Sequence, residues 1–342
     1  MNRIIKGVCL VCWFLMPAFS VFFACSSEGN IHNVLGTNAE APVFTDFRPV
    51  SPTEIVFSFS KPVRVASISF DPGLKVESIE EGSEVRVSFA QPLEAGKRIT
   101  ADILVTDAER NTLNVIVPFR ARNDRMPVLV FNELRTDLAT PRVEFVEFLV
   151  LEAGNLGAMR LFIAGHSLSS PVYEFPPAEV SAGEYIMLHL RTPGTAILDE
   201  AGLVVPPYDN RDVLEGARHF WVAGNSKLLH RTSALWLMDQ DDRILDAVLL
   251  CERPAEWGRN NTIAAAEFLA YNGAWLSACG SDWESGWIPG PADAVSTQGT
   301  TGTRTINRDQ SIPPAPRADN WYVTVTSGNT PGRENNPRRF TP

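Results

Sequence analysis

The sequence has little of what a membrane-spanning or nucleic-acid-binding protein needs. No apolar run after residue 24 approaches the roughly 20 residues that cross a bilayer. Basic residues are outnumbered, with 30 Lys and Arg against 40 Asp and Glu, for a net charge of −10. Because binding to nucleic acid or to anionic lipid depends on neutralising phosphate charge, this balance argues against both as partners.

Motifs for catalysis and for cofactor binding are also missing. The five histidines are not spaced as in H-E-x-x-H, and neither G-x-S-x-G nor C-x-x-C occurs. A Ser/His/Asp arrangement assembled from distant residues stays open, because spacing alone does not decide it. The sequence therefore predicts no catalytic residue and no cofactor, and it favours a protein that is not an enzyme.

The first 24 residues have the composition of an export signal. Arg3 and Lys6 give a positive start, an apolar run follows, and Ala24 places a small side chain before Cys25. This arrangement resembles a bacterial lipoprotein signal, with Phe22 where that family prefers leucine. The resemblance implies cleavage after residue 24 and acylation of Cys25. An uncleaved anchor helix and an ordinary signal peptide are the alternatives.

Acylation of Cys25 predicts attachment to a membrane surface. Each buried methylene contributes ~0.8 kcal/mol, and two acyl chains hold a protein stably where one does not. The polar, Gly/Asn-rich stretch 25–40 then serves as a flexible tether. The expected location is the cell envelope, facing the periplasm or the exterior, and Ser26 after the cysteine favours the outer membrane. Loss of two basic residues and no acidic one would change the net charge from −10 to −12.

Residues 41–123 alternate apolar and polar side chains with a period of two. Ile55, Phe57 and Phe59 would share one face of a strand, for example. Short strands separated by turn signals predict a seven-stranded antiparallel sandwich. The stretches PVFTDFRPVSPTEIVFSFSKPV and PLEAGKRITADILVTDAERNTL resemble bacterial Ig-like domains. That resemblance implies an Ig-like fold and says little about a ligand.

A second set of strand patterns occupies residues 127–337, after a boundary near residues 122–127. Its ordered blocks resemble the lamin-tail domain, an Ig-like sandwich also found in bacterial exported proteins. The chain is therefore predicted to be all-β, with two Ig-like antiparallel β-sandwich domains, the second with a short helical insertion. The matched positions are Asn132, Glu133, Glu144, Glu147, Gly183, Leu235, Leu237, Asp239, Asp246, Val248, Arg308, Asp319, Trp321, Thr330, Pro331, Gly332 and Asn335.

An insertion at about 251–298 departs from the lamin-tail pattern. The stretch NNTIAAAEFLAYNGAW within it predicts a short helix, begun by Asn261 or Thr262 and ended by Gly273.

The two cysteines at Cys251 and Cys279 bracket this helix. With Cys25 acylated they are the one available pair, and an oxidising envelope permits a disulfide between them. Closing a loop of this size would stabilise the protein by roughly 3 to 4 kcal/mol.

Tryptophans are concentrated in the insertion and are candidates for binding. Exposed tryptophans stack on sugar rings and anchor protein interfaces. Packing into a local core is the alternative, and it is favoured. The four candidates are Trp257, Trp275, Trp283 and Trp287.

The carboxylates Glu133, Glu144, Glu147 and Asp239 are weak candidates for a metal site. Hard cations such as Ca²⁺ bind several oxygens of this kind. On a strand, however, Glu144 and Glu147 would point to opposite faces unless a bulge intervened. Structural hydrogen bonding and solvated turns are therefore the favoured interpretation, and no metal is predicted.

The sequence as a whole predicts a lipid-anchored envelope protein that acts by binding or scaffolding. The expected partners are the membrane, through Cys25, and a protein or a glycan. One alternative is a carbohydrate-binding or carbohydrate-processing protein that uses the aromatic insertion. The other is a metal-dependent hydrolase.

Overall fold

The computed structural model describes residues 40–138, 142–192, 217–258 and 260–341. The predicted signal peptide, Cys25 and nearly all of the tether lie outside the described residues. Two β-sandwiches and one short α-helix make up the described part, so the predicted fold class is confirmed. No helix in these ranges is long and apolar enough to cross a membrane.

The first domain consists of six antiparallel strands. These are β1 (Phe44–Ser51), β2 (Glu54–Asp71), β3 (Val76–Glu80), β4 (Gly82–Phe89), β5 (Arg98–Thr106) and β6 (Thr112–Arg120). Their order is β3-β4-β2-β5-β6, with β1 on β2. Strand β2 belongs to both layers, because its first half pairs with β1 and β4 and its second half with β5. The long strand β2 therefore takes the place of two strands, and the domain has six strands where the sequence predicted seven.

Strand β2 changes partner around Pro62. Regular pairing with β4 ends at Ser58, and pairing with β5 begins at Arg64. Proline has no backbone N–H to donate, so a ladder is readily interrupted there. Ile55, Phe57 and Phe59 are buried as the alternation predicted, but Val56 between the first two is fully buried as well, so both faces of this part of β2 are covered.

The second domain contains the other thirteen strands of the described residues. These are β7 (Val128–Arg135), β8 (Phe145–Glu152), β9 (Gly154–Asn155), β10 (Arg160–Ile163), β11 (Tyr173–Glu174), β12 (Glu179–Val180), β13 (Tyr185–His189), β14 (Ala217–Trp221), β15 (Ser233–Met238), β16 (Ile244–Cys251), β17 (Val295–Ser296), β18 (Ile306–Arg308) and β19 (Trp321–Val323). The larger sheets have the orders β11-β10-β15-β16-β17 and β14-β13-β8-β7-β18-β19, and β9 pairs with β12. Pairing is antiparallel except at two edges, where β14 and β17 join in parallel.

The insertion forms helix α1 (Asn260–Tyr271) and two 3₁₀ turns follow, Pro291–Asp293 and Ala318–Asn320. The helix begins one residue before the predicted cap. Gly273 ends it in a left-handed conformation with φ of +67°. The N–H of Gly273 donates to the carbonyl of Ala270, and the N–H of Ala274 donates to that of Leu269. These two bonds form the Schellman motif that a glycine after a helix favours.

The predicted disulfide does not form, and both cysteines are free. Cys251 is buried at the end of β16, where its thiol donates to the carbonyl of Arg253 at 3.1 Å. Cys279 is exposed and contacts the hydroxyls of Ser277 at 3.4 Å and Ser281 at 3.7 Å. Each thiol is thus held within its own turn. Although Cys251 and Cys279 flank the same helix in the sequence, the fold does not join their sulfurs.

Candidate functional site

Two of the four acidic metal candidates meet across β7 and β8. Glu133 and Glu147 are directly opposite in the register, and both are fully buried. Burial raises the pKa of Glu133 to about 7. Burial, together with the nearby charge of Glu133, raises the pKa of Glu147 well above its usual range. Because two buried carboxylates this close repel each other, the pair retains a proton at neutral pH.

Donors from the C-terminal segment cover this carboxyl pair. The backbone N–H and the hydroxyl of Thr330 donate to Glu133 Oε2 at 3.0 and 3.2 Å. The N–H of Gly332 donates to Glu147 Oε2. Gly332 has φ of +75°, a left-handed conformation that other residues rarely adopt. A glycine is therefore required where the chain turns over the carboxyl pair.

Two asparagines extend the network. Asn132 Nδ2 donates to Glu147 Oε1 at 2.7 Å. Asn335 Nδ2 donates to Asn132 Oδ1 at 3.0 Å and to the carbonyl of Arg308 at 2.9 Å. Gln310 joins the same two residues, because it donates to Asn132 Oδ1 at 3.1 Å and accepts the N–H of Asn335 at 2.8 Å. The segment 330–335 is thereby tied to β7 and β18.

Arg308 forms a buried ion pair beside these amides. Its Nη2 lies 2.5 Å from Asp246 Oδ2, and both side chains are less than 10% exposed. Its Nε donates to the carbonyl of Phe131 at 2.6 Å, and the N–H of Phe131 donates to Asp246 Oδ2 at 2.8 Å. The guanidinium also lies 4.5 Å from the ring centre of Trp321. All of these groups take their partners from the protein itself, which indicates a structural role for the network.

The other two metal candidates lie in separate contacts. Glu144 forms an ion pair with Arg191 at 2.6 Å. Asp239 accepts the N–H groups of Asp241 and Arg243, each at 2.9 Å, in the turn between β15 and β16. The four carboxylates therefore do not converge, and the weak metal hypothesis is wrong on this point. In the described ranges no group of three His, Cys, Asp or Glu could hold a metal ion.

The junction between the domains is held by Asn123. This side chain is 2% exposed, and its Nδ2 donates to the carbonyls of Asn155 at 2.7 Å and Gly157 at 2.9 Å. The backbone of Asn123 exchanges two hydrogen bonds with the side-chain amide of Gln240, at 2.8 and 3.0 Å. The segment 122–127 is thus fixed to the second domain rather than being a loose connection.

Two glycines bring the domains into backbone contact. A Cβ built on Gly157 would lie 2.3 Å from the carbonyl oxygen of Ala95, and one on Gly96 would lie 2.4 Å from Gly157. Distances this short do not occur for real side chains. The close approach of the two loops therefore depends on glycine at both positions.

Beside this junction lies a groove of about 830 Å³ lined from both domains. Its wall in the first domain consists of Phe47, Arg48, Pro49, Val50, Phe119, Arg120 and Arg122. Its wall in the second domain consists of Ala158, Arg160, Pro171, Glu174, Gln240 and Asp241. The rings of Phe47 and Phe119 pack 4.8 Å apart, so one side of the groove is apolar.

Arginines dominate the polar side of the groove. Arg120 forms an ion pair with Glu174 across the domain boundary, and Arg98 reaches the same carboxylate at 3.4 Å. Arg122 pairs with Asp241 at 3.3 Å, also across the boundary. Burial lowers the pKa of Arg120, and the charges of Arg98 and Arg160 act in the same direction. The lining arginines also pair with acids outside the groove, Arg48 with Glu84 at 2.8 Å, Arg122 with Asp124 at 2.7 Å and Arg160 with Asp242 at 2.7 Å.

Residues 127–323 match the family model TP_1001_2nd, described as a "protein second domain". The match covers 197 of the 342 residues. The chain belongs to this family. A relative is an uncharacterized protein of Treponema pallidum (strain Nichols), 27% identical over 219 residues. The alignment covers 60% of this chain and 56% of that relative, so the chain spans little more than half the relative's length.

The TP_1001_2nd range coincides with the second sandwich. It begins one residue before β7 and ends with β19. The carboxyl pair and the Arg308 ion pair lie inside this range, whereas Thr330 and Asn335, which complete the network, follow it. The groove combines one wall from this range with one wall from the first domain.

The four tryptophan candidates do not form one surface. Trp275 is fully buried, and its indole N–H donates to the carbonyl of Asp293 at 3.0 Å, so a binding role for it is wrong. Trp257 and Trp287 are half-buried against the main core of the second domain. Trp283 is half-buried and meets the ring of Tyr271 edge-on at 5.9 Å. Packing against a core, the alternative that the sequence favoured, therefore applies to Trp257, Trp275 and Trp287.

A buried histidine pair was missed from the sequence. His189 on β13 and His219 on β14 are fully buried, with Nε2 and Nδ1 3.1 Å apart. Burial lowers the pKa of His189 well below its usual value, and the charges of His219 and Arg135 contribute in the same direction. The ring of Trp221 stacks on His189 at 4.8 Å. Thirty residues separate the two histidines, and only the parallel pairing of β13 with β14 brings them together.

Proposed function

We propose that this protein is anchored in the cell envelope by lipid at Cys25 and binds a ligand or partner in the groove between its two domains. The groove itself is the observation that supports this proposal. It is lined from both sandwiches, across a junction that Asn123 and Gly157 hold closely packed. Ligand sites favour domain interfaces with an apolar wall and a few convergent polar groups.

The anchor is supported by the sequence of the N-terminus. Residues 1–24 have the order of a lipoprotein signal, and the stretch 25–40 is polar enough to act as a tether. On this proposal the two domains stand outside the cytoplasm, with the outer membrane favoured. The Ig-like and lamin-tail resemblances remain the proposed description of the two sandwiches.

A site-specific photo-crosslinker tests the groove. Val50, at the rim, is 45% exposed, and Ile116, on β6 of the same domain and outside the groove, is 64% exposed. We expect a crosslinker at position 50 to capture a bound molecule in intact cells and the same group at position 116 not to do so. Equal capture at both positions, or none at position 50, would contradict a binding role for the groove.

Replacement of the acylated cysteine tests the anchor. We expect Cys25→Ser to abolish acyl labelling and to stall processing or to release the protein from membranes. Unchanged partitioning into detergent, together with no acyl label on the native protein, would rule the anchor out.

Carbohydrate binding by the insertion is a second candidate function. Tyr271 is 69% exposed and lies beside Trp283, an arrangement suited to stacking on a sugar ring. Binding on a glycan array that is lost with Tyr271→Ala and retained with Val50→Ala would favour this candidate over the groove.

A further inference from the structure

We infer that a pocket at the start of the insertion binds a neutral pyranose sugar, with the sugar ring stacked on Trp257. The pocket measures about 410 Å³, within the ~300–1,000 Å³ that small-molecule sites occupy. None of its described lining residues also lines the groove between the domains, so this site is separate from the one proposed above.

Three segments that are distant in the sequence meet at this pocket. Asp137 follows β7, residues 227–232 lead into β15, and residues 252–258 connect β16 to helix α1. The antiparallel pairing of β15 with β16 brings Arg231 beside Glu252, and the N–H of Glu252 donates to Thr232 Oγ1 at 3.1 Å. The insertion therefore begins on a surface that the two strands already hold in place.

Arg231 orders the acidic side chains of the pocket. Its Nη2 lies 3.0 Å from Asp137 Oδ1 and donates to the carbonyl of Thr300 at 2.9 Å. Its Nη1 lies 3.0 Å from Glu252 Oε1. With these partners the guanidinium fixes both carboxylates before a ligand arrives, and a preformed site loses less side-chain freedom on binding.

The charges that line the pocket cancel. Apart from His230, its titratable side chains are three of each sign, Lys227, Arg231 and Arg253 against Asp137, Glu252 and Glu256. All except Lys227 form ion pairs within the pocket, and Arg253 with Glu256 at 2.8 Å completes the set. A balanced site of this kind has no surplus charge to attract an ion, so it favours a neutral ligand.

Hydroxyl groups match this mixture of charges. A hydroxyl both donates and accepts, so it can donate to a carboxylate and accept from an ammonium or guanidinium group. Glu252 and Glu256 each use Oε1 on an arginine, and no described residue donates to Oε2 of either. The exposed amine of Lys227 likewise has no partner among the described residues. Acceptors and a donor are thus available for neighbouring hydroxyls of one ligand.

Trp257 gives the same pocket an apolar surface. The indole is half-buried, because part of it packs against the main core of the second domain while the rest borders the pocket. A pyranose ring carries its hydroxyls at the edge and exposes mainly C–H groups on one face, which suits stacking on an indole. An open-chain polyol has the same hydroxyls without this face. The pocket should therefore prefer the cyclic sugar.

Fluorine NMR of the purified full chain, labelled with fluorinated tryptophan, tests the inference. The probes are the methyl glycosides of glucose, galactose, mannose and N-acetylglucosamine. We expect at least one of them to shift the Trp257 resonance saturably and to leave those of Trp275 and Trp283 unchanged. Sorbitol, which lacks a ring face, and inorganic phosphate, which is charged, should shift none of the three. The glycoside with the highest affinity identifies the preferred arrangement of hydroxyls.

Two matched pairs of variants locate the sugar, with binding followed by saturation transfer to the glycoside. Trp257→Leu keeps an apolar side chain against the core and should weaken binding at least tenfold. Tyr271→Leu makes a similar change at an aromatic side chain that is 69% exposed outside the pocket, and it should change the affinity by less than twofold. Glu256→Gln should weaken binding several-fold, and Glu284→Gln, at an exposed position in the same insertion, should not.

Several results would overturn the inference. If no glycoside shifts the Trp257 resonance of the wild-type chain, the pocket does not bind this class of ligand, whether or not Trp257→Leu folds. Equal shifts with sorbitol would show that the ring face plays no part. Loss of binding in Tyr271→Leu but not in Trp257→Leu would move the sugar to Tyr271 and Trp283. Capture by the crosslinker at position 50 does not depend on any of these outcomes, so the groove and this pocket are tested separately.

Discussion

The two sandwiches bury their charged groups very differently. In the first domain the core is a set of apolar side chains, and ion pairs such as Arg48 with Glu84 lie at the surface. In the second domain the pairs Arg308–Asp246, Arg191–Glu144 and Arg218–Glu184 are all buried to 90% or more on both sides. A core of apolar contacts depends on volume and pattern, whereas a buried ion pair depends on one particular partner.

Breaking a buried pair should have the largest effect. Arg308→Ala leaves Asp246 buried without its cationic partner and the carbonyl of Phe131 without its side-chain donor. We expect the free energy of unfolding to fall by about 3 to 5 kcal/mol, measured by urea denaturation. Arg86→Ala, which breaks a partly exposed pair with Glu54 in the first domain, is the control and should leave the midpoint nearly unchanged. Similar losses in both variants would remove the distinction between the domains.

Separating the domains should have the next largest effect. Gly157→Ala places a methyl group against the carbonyl of Ala95, and relieving that overlap should destabilise the junction by about 1 to 3 kcal/mol. We expect unfolding to divide into two transitions in a calorimetric scan. Gly73→Ala, where nothing lies within 4 Å of the added methyl, should leave a single transition. A single unchanged transition in Gly157→Ala would mean that the domains are not coupled through this contact.

The carboxyl pair should make the second domain sensitive to pH. The pKa of Glu133 is about 7 in the folded protein and about 4.5 in an unfolded chain. Between these values the folded state binds more protons, so the free energy of unfolding falls as pH rises. His189 acts in the opposite direction below about pH 6.5, because the unfolded chain protonates it and the folded protein does not. The opposing contribution of His189 fades as pH rises past 6.5, so a fall in stability above that pH reports mainly the carboxyl pair.

Thermal unfolding from pH 5 to 8 checks this expectation. Wild type should lose stability between pH 6.5 and 7.5, and Glu133→Gln should lose less of it over the same interval. The nearby phenols of Tyr185 and Tyr322 do not titrate in this range, since tyrosine ordinarily titrates near pH 10 and burial raises the pKa of both further. Identical pH profiles for wild type and variant would show that the pair does not hold the proton.

The free thiols should give the smallest effect. Because no disulfide joins them, Cys279→Ser should change the free energy of unfolding by less than about 0.5 kcal/mol, the range for surface substitutions. Alkylation without reduction should modify the exposed Cys279 quickly and the buried Cys251 slowly. If Cys279→Ser lost roughly 3 kcal/mol, or if both thiols resisted alkylation until a reductant was added, the two cysteines would be joined by a disulfide after all.

The same contrast explains what could be predicted from sequence. Alternation placed Ile55 and Phe57 in the core, and Gly273 marked the end of α1, because both signals depend on neighbours in the chain. The partners of the carboxyl pair are not neighbours, since Thr330 lies 197 residues from Glu133. Only the family resemblance put these positions into one pattern, and it did not reveal that they touch.

The groove could not be predicted from the sequence for a related reason. The stretch 122–127 was interpreted as a boundary, and nothing in it indicates that Asn123 fits between Gln240 and Gly157. The groove exists only where strands of both domains meet, and the pairs Arg120–Glu174 and Arg122–Asp241 across it join residues that are far apart in the sequence.

Residual dipolar couplings of the backbone amides, measured on the chain from residue 26 onward in a weakly aligned medium, test most directly whether the two sandwiches form one body with a shared groove. A single alignment tensor that fits strands β1–β6 and β7–β19 together is the expected result, with separate tensors appearing in Gly157→Ala. Two different tensors in the wild-type chain would contradict a fixed junction, and with it a groove whose two walls act as one site.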